Sequence, residues 1–237
     1  MTGVDALAAE VLAALRERSE PARREATRKY IPTELEVLGV KTPDLRAVVR
    51  AFKPRLGEED GQTVVALARS LVDAGTLEGR QAAYELVEQH RAARESLSRR
   101  DLEALGHGMD NWAAVDGFAV LLAGVAWREG RIGDDVVLGW LAGGDRWWRR
   151  AAVVATVPLN MPSRGGTGDP ARTLDLCRRV VDDRDDMMVK AVSWALRTLA
   201  KQDPAPVRGF LEDLGDRVAP RVRREVTNKL DRGLKNP

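Results

Sequence analysis

The chain has 237 residues, with 38 Lys and Arg against 36 Asp and Glu and a net charge of +2. One Cys excludes an intramolecular disulfide framework and a Cys-rich zinc site, and two His leave little for a His-based metal centre or a His-dependent triad. No apolar run reaches the roughly 18 residues of a membrane helix, and the N-terminus lacks a signal-peptide stretch. The expectation is a soluble, cytoplasmic protein with no cofactor, no metal and no membrane partner.

Residues 1–30 read as two helices. Leu7, Val11, Leu12 and Leu15 form an apolar stripe, and Pro21 sits where the second helix begins. Pro32, Gly39 and Pro43 break the pattern. Thr42-Pro43 then reads as a helix start, with Thr42 as N-cap. Helical patterns recur at 43–53, 60–74, 79–96, 99–107, 111–129, 134–142, 146–157, 170–182, 185–201, 204–214 and 217–233. No strand with period-two alternation stands out. The segment from Asn160 to Pro170, NMPSRGGTGDP, reads as a mobile, insert-like loop.

The helices also repeat. Aligning Arg150, Lys190 and Arg224 gives spacings of 40 and 34 residues, and Arg80-Gln81-Ala82-Ala83 echoes the pattern earlier. Helix pairs at a period near 40 indicate HEAT-type repeats. The predicted fold class is all-α: a right-handed superhelical solenoid of HEAT-like hairpins with a concave basic cleft, spanning residues 1–237 as a single domain. Basic residues at one position of each repeat would stack into a stripe along the concave wall. An ordinary solvated position is the competing explanation for any one of them.

Helical-wheel arithmetic sharpens three segments. In 185–201, Val189, Val192, Leu196 and Leu199 share a core face, while Lys190, Trp194, Arg197 and Lys201 lie about 150° away. A Trp among three cations suits a polyanion carrying flat bases. In 146–157, Arg146, Arg149 and Arg150 cluster on one side as a phosphate clamp or a merely solvated face, with Trp148 toward the core and Trp147 at the boundary. In 111–129, Val115, Phe118, Leu122 and Val125 form the core stripe. Trp112 and Asp116 lie one turn apart and away from it. An indole beside a carboxylate can hold a flat, cationic group. The Arg217–Lys235 tail carries seven basic and two acidic residues and extends the positive surface.

Five segments in this order resemble the AlkD-like DNA glycosylases of the DNA alkylation repair family. They are Leu38-Gly39-Val40-Lys41-Thr42-Pro43-Asp44-Leu45-Arg46, Asn111-Trp112-Ala113-Ala114-Val115-Asp116, Trp147-Trp148-Arg149-Arg150-Ala151-Ala152, Lys190-Ala191-Val192-Ser193-Trp194-Ala195-Leu196-Arg197, and Arg223-Arg224-Glu225. The resemblance implies that Asp116 is the catalytic carboxylate and that Trp112 and Trp194 flank the lesion-bearing nucleotide. It implies DNA contacts from Arg150, Arg197, Lys41, Thr42 and Arg46, to which the basic helix faces add Arg149 and Lys190. The implied activity is monofunctional hydrolysis of the N-glycosidic bond of cationic N3- or N7-alkylated purines in double-stranded DNA, by a monomer that needs no cofactor. The Gly-rich 160–170 segment departs from the family pattern and bears on lesion preference. The alternative from a different class is a non-catalytic HEAT-like DNA-binding or scaffold protein. The Arg- and Ala-rich composition suits a GC-rich genome, which motivates a narrower expectation of self-resistance to a DNA-alkylating natural product.

Overall fold

The computed structural model describes residues 3–236. Fifteen α-helices follow in chain order: α1 (Gly3–Arg16), α2 (Pro21–Tyr30), α3 (Thr42–Leu56), α4 (Gly61–Asp73), α5 (Leu77–Gln89), α6 (Arg91–Ser96), α7 (Arg99–Gly106), α8 (Trp112–Phe118), α9 (Gly124–Arg128), α10 (Asp134–Ala142), α11 (Arg146–Val154), α12 (Pro170–Arg179), α13 (Asp186–Leu199), α14 (Pro204–Leu214) and α15 (Pro220–Arg232). Among the described residues there is no strand, only an isolated parallel bridge between Glu36 and Thr76. No helix among them is long and apolar enough to cross a membrane. The chain divides into two compact units, one ending at Leu122 and the other starting at Ala123.

In the first unit, α4 packs on α1, α5, α6 and α7, and α5 also meets α3 and α8. Val11, Leu15, Leu45, Val64, Leu71, Ala83, Leu102 and Phe118 are among the fully buried side chains. The irregular segment between α2 and α3 is held by a buried carboxylate. Glu78 accepts backbone N–H bonds from Leu38 (2.8 Å), Gly39 (2.7 Å) and Val40 (3.1 Å). Three N–H donors offset the cost of burying that charge. Gly39 has φ of +83°, and a Cβ there would come within 2.6 Å of Arg24 N, so glycine alone lets α2 lie this close. The turn before α3 differs from expectation. The N-cap position is Lys41 rather than Thr42, and no side chain caps it. Pro43 in the first turn removes one of the donors a cap would have served.

The second unit is a regular two-layer array. Hairpins α10/α11, α12/α13 and α14/α15 stack so that α11, α13 and α15 lie side by side, with α12 against α14 behind them. Because α13 is packed on several sides, Met188, Ala191 and Ala195 are buried with Val192, Leu196 and Leu199, whereas Val189 is only half-buried. Asn160–Pro170, which reads as mobile and insert-like, is instead tied down. Asn160 is buried and donates to Thr156 O and Thr173 Oγ1, while its side-chain oxygen accepts from Asp169 N. Gly168 N reaches Leu159 O, and Arg128 donates to Arg164 O.

The predicted helix 111–129 exists but is interrupted. Residues Ala119–Ala123 form a π-helical turn between α8 and α9. The wider turn advances the register by about one residue. The buried stripe therefore runs from Val115, Phe118 and Leu122 to Ala126 and Trp127, leaving Val125 only half-buried.

Candidate nucleic-acid interface

Trp112 and Asp116 stand one turn apart on α8, both half-buried, as their spacing predicts. Asn111 caps this helix through its side-chain oxygen, which accepts from Ala114 N at 2.9 Å. Tyr30, the last residue of α2, meets the Trp112 ring edge to face, with centroids 5.5 Å apart and planes at 83°. It is 73% exposed. Tyr30 thus stands nearly perpendicular to the Trp112 ring and adds an exposed aromatic wall beside it. Nothing in the local pattern of Tyr30 signals this, because the pairing spans more than eighty residues.

α2 itself has no buried residue. It carries Arg23, Arg24, Arg28 and Lys29 against one acid, Glu25. Arg23, Arg28 and Lys29 are exposed and make no hydrogen bond or salt bridge among the described residues. The three residues named from the motif beside α2 are engaged differently. Lys41 pairs with Glu20 at 2.6 Å, Arg46 reaches the buried Glu85 at 3.3 Å, and Thr42 is exposed. Among the described residues α2 therefore carries a cluster of unpaired positive charge, whereas Lys41 and Arg46 are engaged by carboxylates.

In the second unit the basic residues stitch hairpin to hairpin. Arg149 pairs with Asp183 at 2.6 Å, Arg146 pairs with Asp185, and Arg221 bridges back to Asp186 at 2.9 Å. Lys190 holds Asp186 at 2.6 Å, and that hydrogen bond is the main cause of the lowered Asp186 pKa. Arg150 does not lie on a free face with Arg146 and Arg149. It is 4% exposed, and its guanidinium donates to Met187 O. Arg80 in α5 is used alike: it is buried and donates to Tyr84 Oη, Leu105 O and His107 O. The repeated Arg of the sequence is thus, at these two positions, a clasp on the next hairpin's backbone. Trp148 is half-buried against Trp140, with centroids 5.2 Å apart.

Trp194 is half-buried on α13, and Arg197 lies one turn closer to its end. Beneath them is Glu225 of α15, which is 3% exposed. It accepts from Ser193 Oγ at 2.6 Å and Arg221 Nε at 3.1 Å, with Arg197 Nε at 3.8 Å and Lys235 Nζ at 3.6 Å. Burial pushes the Glu225 carboxyl up, but these donors and cations together bring it below the usual range. Arg197 is shifted down, with burial outweighing the attraction of Glu225. The first unit thus gathers Trp112, Asp116 and Tyr30, and the second gathers Trp194, Arg197, Lys190 and Arg149 along adjoining helices. Among the described residues, no group of three or more His, Cys, Asp or Glu could hold a metal ion.

Residues 11–230 match the family model described as DNA alkylation repair enzyme. The chain belongs to the DNA alkylation repair enzyme family. Two solved structures share the fold. One, described as "Predicted DNA alkylation repair enzyme from Enterococcus faecalis", has a TM-score of 0.73 at 15% identity, covering 91% of this chain and 98% of that one. The other is described as belonging to a new family of proteins related to the HEAT-like repeat DNA glycosylases with affinity for branched DNA structures. It has a TM-score of 0.65 at 18% identity, covering 96% of each chain. No curated protein matches the chain. The hairpins of this DNA alkylation repair family member are accordingly HEAT-like repeats.

Proposed function

We propose that this protein is a monofunctional DNA glycosylase that releases cationic N3- and N7-alkylated purines from double-stranded DNA. The protein would act as a monomer in the cytoplasm, with DNA held by its basic residues. The observation that carries the reading is the one-turn spacing of Asp116 and Trp112 on α8, both half-buried, with Tyr30 standing edge-to-face against the Trp112 ring. Membership of the DNA alkylation repair family supports it.

The chemistry needs little from the protein. Alkylation at N3 or N7 places a positive charge on the purine and makes it a good leaving group. The C1′–N9 bond breaks with oxocarbenium character on the sugar, as in glycoside hydrolysis. The Asp116 carboxylate would stabilise that cation and orient a water, whose oxygen bonds to C1′ while its proton passes to the carboxylate or solvent. The bond electrons return to the purine, which departs uncharged. Trp112 and Trp194 would hold the electron-poor nucleoside by cation–π contact. Arg149, Arg197, Lys190, Lys41, Thr42 and Arg46 are the sequence-derived candidates for backbone contacts, and α2 adds Arg23, Arg28 and Lys29; Arg150, buried on the Met187 carbonyl, is left with a structural role. Such contacts set register and carry no sequence code.

The test is incubation with N-methylated duplex DNA and chromatographic detection of free 3-methyladenine and 7-methylguanine. Release of either supports the enzyme. DNA binding without release, on both methylated and branched duplexes, would leave the non-catalytic DNA-binding reading in its place.

A further inference from the structure

We propose that Thr33, Asp110 and Asn111 form a hydrogen-bonded knot that positions Trp112 and Asp116 for the reaction, with Asp110 as its central positioning residue. The inference rests on the glycosylase reading of α8.

The three side chains close on one another. Thr33 Oγ1 donates to Asp110 Oδ1 at 2.6 Å, and Asn111 Nδ2 donates to the same oxygen at 2.8 Å. Asn111 Nδ2 also lies 3.2 Å from Thr33 Oγ1, which accepts from Leu35 N at 3.1 Å. The second oxygen, Asp110 Oδ2, accepts from Glu34 N at 2.5 Å. Asn111 is 1% exposed, and its remaining oxygen caps α8. One carboxylate thus fastens the segment that leaves α2 to the first turn of the helix bearing Trp112 and Asp116. The sequence separation is 77 residues between Thr33 and Asp110, so no local turn brings the two together. Burial raises the Asp110 carboxyl, but the donors from Thr33, Asn111 and Glu34 outweigh it and bring it below the ordinary range.

The knot touches neither the Trp112 ring nor the Asp116 carboxylate in these contacts. It fixes the backbone from which both project, and it fixes Tyr30, three residues before Thr33, against the Trp112 ring. A stabilised cation demands a carboxylate held close to its productive position, and small displacements cost rate steeply. α8 is a short helix that runs into a π-helical turn, so its own length gives it little rigidity. An external anchor at its first turn supplies what the helix lacks. Asp110, Asn111 and Thr33 are therefore expected to govern the chemical step more than the grip on DNA.

The experiment uses the full-length protein with methylated duplex DNA. It compares wild type with Asp110→Ala, Thr33→Val and the conservative Thr33→Ser. Single-turnover release of methylpurine, duplex affinity and melting temperature are measured together. The expected result is a fall of tenfold or more in the release rate for Asp110→Ala and Thr33→Val, with affinity within about twofold of wild type. Thr33→Ser keeps the hydroxyl and is expected to retain at least half the wild-type rate. Rates within twofold of wild type for both disruptive variants would overturn the proposal. So would losses of rate matched by equal losses of affinity, or a Thr33→Ser variant as slow as Thr33→Val. Absence of release by the wild type itself would instead count against the glycosylase reading, so the two failures are distinguishable.

Discussion

Replacing Glu225 should destabilise the second unit by about 3 kcal/mol. Removing one partner of a buried, hydrogen-bonded ion pair costs about 3–5 kcal/mol, because the opposite charge is left buried without compensation. Here the upper end does not apply. Arg221 and Lys235 have side chains 39% and 44% exposed, so water recovers most of what they lose. Arg197, at 19% exposure, and the buried Ser193 hydroxyl do not have that recourse. For a chain of this size, about 3 kcal/mol lowers the melting temperature by about 6–12 °C. Glu225→Ala should show this at pH 7 by calorimetry, and Glu225→Gln should lose roughly half as much because it can still bond Ser193. The folded carboxyl titrates below its unfolded value, so its stabilisation is present above about pH 4.3 and is lost as pH falls through the folded value. The gap between wild type and Glu225→Gln should therefore narrow on acidification. A melting temperature within 2 °C of wild type for Glu225→Ala would refute the reasoning, as would a gap that widens toward acid.

Two further outcomes follow from separate features. Gly166→Ala should cost about 1–3 kcal/mol by overpacking, read as a lower melting temperature, because a Cβ there would fall 2.5 Å from Leu159 O and closer still to Pro158 O. Changing both Arg28 and Lys29 to Gln should weaken duplex binding and flatten the plot of log affinity against log salt, by about 0.9 for each phosphate no longer neutralised. An unchanged salt slope would remove α2 from the interface.

The helices are legible because their apolar residues recur at the helical period, and because Asp, Pro and Gly punctuate the turns between them. The π-helical turn is not. A run as uniformly apolar as Phe118–Trp127 fits either register, so an unbroken helical period puts Val125 in the core in place of Ala126 and Trp127. The spacing of Trp112 and Asp116 survives intact, since a one-turn relation within a helix depends on nothing distant. The arginines are the least legible. Arg149 beside Asp183 and Arg150 on the Met187 carbonyl have the same helical spacing as a solvated basic face, and only the next hairpin distinguishes them. Likewise, Glu78 on the Leu38–Val40 backbone and Tyr30 on Trp112 are long-range pairings without a local signature. The Asn160–Pro170 segment reads as loose because it is rich in Gly and Pro. Its order comes from Asn160, whose single side chain serves three partners.

The most direct measurement is methylpurine release by Asp116→Asn against wild type under single-turnover conditions, with duplex affinity measured alongside. The amide keeps the shape of the carboxylate and removes its charge. Glycosylase chemistry at this residue predicts a fall in release of a hundredfold or more with affinity nearly unchanged. Release at the wild-type rate by the Asn variant would contradict it.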